Sequence, residues 1–91
     1  MNSSLDVVLR VVLTHHAMQR IAEQDLDKDQ VKTIVRRAAP YAPRWPRAAA
    51  ALDCEALSAD PLVKYFPRKA VVTTLLPRGV PLKPRTEVVY V

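Results

Sequence analysis

The chain has 91 residues, room for one domain with a modest core, and 49% of them are apolar, enough to fill it. Its formal charge is +5, no apolar run reaches about 18 residues, and Cys54 is its single cysteine; a transmembrane helix and an internal disulfide framework are thereby excluded. A lone thiol fits a reducing cytoplasm, and residues 1–6 lack the basic start of a secretory signal, so a cytoplasmic protein is expected.

Charge is divided along the chain. Residues 1–33 hold four Lys/Arg against five acids, and residues 34–91 hold ten against four. A basic half attracts polyanions and suits an acidic protein surface equally well.

Residues 5–13 are dense in β-branched side chains, which predicts a strand with Leu5, Val7, Leu9, Val11 and Leu13 on the cleaner face. A helix from Ser4, with Leu5, Val8, Leu9 and Val12 on one side, is the competing reading. Two helix starts follow. Thr14 can cap a helix over about 15–24, with Leu13 and Met18 as a hydrophobic staple. Asp27 can cap a second over about 28–39, with Gln30 completing a capping box and Leu26 and Val31 as its staple. Val31, Ile34, Val35 and Ala38 form its apolar stripe, and Pro40 ends it.

Residues 40–46 form a proline-stiffened loop. The alanine-rich stretch 47–58 predicts a third helix, opened by Pro46 and stopped at Asp60-Pro61. Residues 62–66, 69–76 and 86–91 read as strands, joined by a connector over 77–85 that holds the only glycine. The expected fold is α+β in a single compact domain over 1–91. It has an N-terminal strand, two to three helices on one face, and a small, mostly antiparallel sheet.

Thr14, His16, Ala17, Arg20, Gln24, Leu26, Asp27, Asp29 and Val31 follow a pattern that resembles the opening of a small domain of unknown function grouped with the BrnT-like and RelE-like toxins. Residues 69–77 look like the late strand of that family, whereas residues 40–66 do not match it and Asp25 stands where a glycine is usual. The resemblance implies a RelE-like fold, RNA as substrate and a cognate antitoxin as partner. It also implies an endoribonuclease that needs no metal or cofactor. In such an enzyme His16 would serve as base or acid, and Arg20, one turn further on, would clamp a phosphate. Arg68, Lys69 and Arg78 would add positive charge from the sheet.

Tyr41 and Trp45, bracketed by Arg37, Arg44 and Arg47, have the composition of a stacking platform with phosphate contacts, and equally of a protein-binding hot spot. His15-His16 lacks further ligands at metal spacing, so no metal site is expected. Two functions therefore stand side by side. One is a small basic RNA-binding protein of toxin type, with or without cleavage. The other is a non-catalytic phage or mobile-element inhibitor that binds a host protein or a nucleic-acid-binding enzyme. The chain has only two histidines and no Glu/His pairing, which puts binding ahead of catalysis. A helix-turn-helix reading offers only Lys28, Gln30, Lys32 and Thr33 as base readers.

Overall fold

A computed structural model describes residues 9–91. In chain order the elements are β1 (Arg10–Leu13), α1 (His15–Glu23), α2 (Lys28–Ala38), a 3-10 turn (Ala39–Tyr41), β2 (Ala49–Asp53), β3 (Ala59–Tyr65), β4 (Lys69–Pro77) and β5 (Thr86–Tyr90). Of the strand expected over 5–13, residues 5–8 lie outside the described residues.

The two helix starts arise as the caps dictate. Thr14 Oγ1 accepts from the Ala17 N–H at 3.1 Å and donates to the Thr73 carbonyl at 2.9 Å, which fastens the start of α1 to β4. Asp27 accepts from the Asp29 N–H at 2.9 Å, the second helical N–H. Between the helices Asp25 takes the left-handed conformation, with φ 54°. The Leu26 N–H reaches the Ile21 carbonyl and the Asp25 N–H the Ala22 carbonyl, so a Schellman motif closes α1. Leu26 then packs on the core beside Ile21. The second staple lies in the core through Val31, but Met18 is 48% exposed, so the first does not seal: Met18 sits on the outer side of α1.

The five strands form one sheet in the order β1-β4-β3-β2-β5. β3 runs antiparallel to β2 and β4, while β1 on β4 and β5 on β2 are parallel. The sheet is therefore mixed rather than mostly antiparallel; strand pairing depends on how the crossovers route the chain, which local patterning does not encode.

The expected third helix is absent. Residues 49–53 are β2, hydrogen-bonded on both sides. Alanine's helix preference over other residues is only tenths of a kcal/mol per position, less than burial between two strands supplies. Ala50 and Leu52 face the helices, Ala51 is covered on the opposite side, and small side chains permit both. Asp60-Pro61 likewise lies inside β3 rather than ending a helix. Pro61 sits beyond the two residues of β3 that pair with β2, so its missing N–H costs no bond of that ladder.

Both helices cover the same face of the sheet. Ala17 and Ile21 of α1, and Val31, Ile34, Val35 and Ala38 of α2, join Val11, Leu52, Val63, Tyr65, Val72 and Val89 in one core. Tyr65 is fully buried and donates its hydroxyl to the Val35 carbonyl at 2.7 Å, tying β3 to α2. Burial pushes its phenol well above the usual range, against the pull of the Arg44 guanidinium. Among the described residues no helix is long and apolar enough to cross a membrane.

Candidate nucleic-acid interface

Side chains alternate across a strand, so the residues between the core positions point to the face without helices. β3 shows the rule: Ala59, Pro61, Val63 and Tyr65 are buried, while Asp60, Leu62 and Lys64 are half-buried. On β4 the open face receives Lys69, Val71 and Thr73, and on β1 it receives Arg10, whose register partner is Lys69. A bulge interrupts the β3–β4 ladder, where Leu62 pairs with Thr74 and Val63 with Val72. The extra residue is Thr73, whose hydroxyl donates to the Leu62 carbonyl at 3.2 Å. Such a bulge widens the local surface and re-aims side chains.

A pocket of about 330 Å³ opens at that bulge, lined by Trp45, Ala49, Leu62, Lys64, Thr73, Lys83, Arg85 and Thr86. Its lining has three cations, two hydroxyls and the chain's only tryptophan, and no carboxylate. Trp45, Lys64 and Arg85 are held in place. The Trp45 N–H donates to the Tyr65 carbonyl at 2.8 Å, docking the proline loop on the end of β3. Lys64 Nζ lies 4.2 Å from the centre of the indole ring, a cation–π contact. Arg85 donates to the carbonyls of Pro46 and Arg47 at 3.0 and 3.2 Å, which joins the connector to the same loop. Arg47 pairs with Glu87 at 3.1 Å.

A second, shallower hollow of about 420 Å³ is lined by Arg10, Phe66, Pro67, Arg68 and Lys69 at the turn between β3 and β4. Lys69 Nζ lies 5.2 Å from the Phe66 ring centre, so here too a cation sits over an aromatic face. Lys69 and Lys64 stand on adjacent strands of the open face, so the two hollows share one basic surface.

The residues singled out from the sequence are distributed unevenly. Trp45, Arg68 and Lys69 lie on this surface, with Arg47 at its rim beside Arg85. Arg44 lies over the Tyr65 ring at 5.7 Å and donates to the Ala39 carbonyl at 3.0 Å. Arg37 and Tyr41 line a separate hollow with Tyr90 at the end of α2. Arg78 folds back on the loop between β2 and β3: it donates to the carbonyls of Cys54 and Leu57 and pairs with Asp53 at 3.0 Å. His16 and Arg20 belong to α1, across the sheet from Trp45, and Arg20 pairs with Glu23 at 3.2 Å. Reading the sequence alone missed Arg10, Lys64, Lys83 and Arg85. The alternation around Val63 and Tyr65 marks Lys64 as an open-face residue; nothing local marks the two cations of the connector.

No family model, curated protein or solved structure matches the chain. The toxin resemblance therefore rests on residues 13–35 and, loosely, 69–77 alone, and two capped helices joined by a tight corner account for much of the first stretch.

Proposed function

We propose that this protein binds single-stranded RNA on the helix-free face of its sheet, as a small basic binding protein of the cytoplasm. The observation that carries the reading is the Trp45 pocket, with Lys64, Lys83 and Arg85 around an indole and no carboxylate in the lining. Phosphates neutralised by Lys and Arg release counterions, and bases of any identity stack on aromatic faces. The hollow at Phe66, Arg68 and Lys69 extends the surface along the strand's path. A free cysteine, Cys54, buried and unpaired in a disulfide, suits a reducing compartment.

The endoribonuclease reading assigns the chemistry to His16 and Arg20. Those side chains are in the helix layer, and RNA lying on the open face does not bring its 2′-hydroxyl to them. Binding without cleavage is the function we infer.

Trp45 is the only tryptophan, so fluorescence excited selectively at tryptophan reports on this pocket. Titration with a short unstructured RNA should quench it, with affinity falling log-linearly as salt rises. Trp45→Ala, followed by anisotropy of labelled RNA, should weaken binding by about 1–3 kcal/mol. Lys69→Gln should flatten the salt slope, Arg20→Gln should leave it unchanged, and the RNA should be recovered intact. No binding at low salt would overturn the reading, and binding of an acidic protein instead would establish the inhibitor. Cleavage lost in His16→Ala would restore the nuclease.

A further inference from the structure

We infer that the Trp45 pocket receives a terminal phosphate of the RNA, so that the protein recognises a strand end; this rests on the RNA-binding reading above. The charge count is the first ground. Three cations from two separate segments, Lys64 on β3 and Lys83 and Arg85 on the connector, converge on one pocket. An internal phosphodiester carries one negative charge, whereas a phosphomonoester carries about −1.5 to −2 near neutrality and offers three acceptor oxygens. The hydroxyls of Thr73 and Thr86 add neutral donors in the same lining.

Shape is the second ground. The Trp45 pocket is the more enclosed of the two: Trp45 is fixed to β3 through its backbone N–H, and Arg85 of the same lining is fixed to the carbonyls of Pro46 and Arg47. The hollow at Arg10, Arg68 and Lys69 is shallower and more open, and suits a backbone passing over it. A strand lying across the face thus has an open track at one side and a more enclosed pocket at the other, each lined by three cations. The indole supplies the third ground. Lys64 covers one face of Trp45, and a phosphate drawing the ammonium toward itself frees that face for the terminal base.

The test uses one RNA sequence with three ends: a 5′-monophosphate, a 3′-monophosphate, and hydroxyls at both ends. One phosphorylated form should bind at least about tenfold tighter than the hydroxyl form, and which one does identifies the end that is read. Inorganic pyrophosphate should compete with it at the pocket. Lys83→Gln should erase the preference by weakening the phosphorylated form more than the hydroxyl form, with a circular dichroism spectrum that matches the parent's. Lys83→Arg should restore it. Equal affinity for all three ends, with RNA still bound, overturns the end-recognition proposal and leaves the RNA-binding reading standing. Failure of every RNA to bind overturns both.

Discussion

The two faces of this sheet are built from the same strands by opposite rules. On the covered face Ala50, Leu52, Val63, Tyr65, Val72 and Val89 close against two helices. On the open face the intervening positions carry Arg10, Lys64 and Lys69, with Lys83, Arg85 and Trp45 brought in by loops. Burial of apolar area stabilises the first. The cations of the second are mostly exposed, where ion pairs and solvated charges contribute little to folding. Stability and binding should therefore separate cleanly by face, even between neighbours in one strand such as Val63 and Lys64.

The largest expected effect tests that separation directly. Leu52 is fully buried in the core, and Leu52→Ala should cost roughly 2–5 kcal/mol in chemical denaturation. Lys64→Gln, on the other face, should change stability by no more than about 0.5 kcal/mol while weakening RNA binding. Comparable losses of stability from the two would erase the distinction between the faces.

Arg78 sharpens the comparison, because by composition it belongs with the binding cations. Its guanidinium instead holds the loop between β2 and β3 through the Cys54 and Leu57 carbonyls, and pairs with Asp53. Arg78→Met should cost about 1–2 kcal/mol, since those carbonyls lose a charged donor in a partly exposed setting. RNA affinity of the folded variant should stay within about twofold of the parent, a difference below roughly 0.5 kcal/mol.

The parts legible in the sequence are those set by neighbours in the chain. Thr14, Asp27 and the stripe Val31, Ile34, Val35 and Ala38 mark the helices because capping and a 3.6-residue period act over one or two turns. Residues 49–53 read as a helix because alanine suits one intrinsically, and only pairing with β3 and β5 makes them a strand. The candidate site was half legible for the same reason. Trp45 and the arginines beside it stand together in sequence, but Lys64, Lys83 and Arg85 meet only through the sheet and the connector. Tyr41, four residues from Trp45, faces a different hollow.

The smallest expected effect concerns Asp60, the carboxylate on the open side of β3. Its Oδ1 is buried without a hydrogen-bond partner and lies 3.9 Å from the Arg78 guanidinium. Burial raises its pKa above the ordinary 3.8, an effect that Arg78 opposes and Asp53 reinforces. A raised folded-state pKa means that the folded chain holds this proton more tightly than the unfolded chain does. The group's contribution to stability is then fully present below the unfolded value of 3.8 and is lost as pH rises through the raised folded value. Asp60→Asn mimics the protonated form. It should therefore be more stable than the parent at neutral pH, by less than about 1 kcal/mol, with the gain vanishing in acid. Paired denaturation curves across pH measure the difference. If the parent instead gains on the variant as pH rises, the attraction of Arg78 outweighs burial and Asp60 belongs to the scaffold of the β2–β3 loop. The same substitution removes a negative charge from the open face, so RNA should bind slightly tighter, most visibly at low salt where charges are least screened.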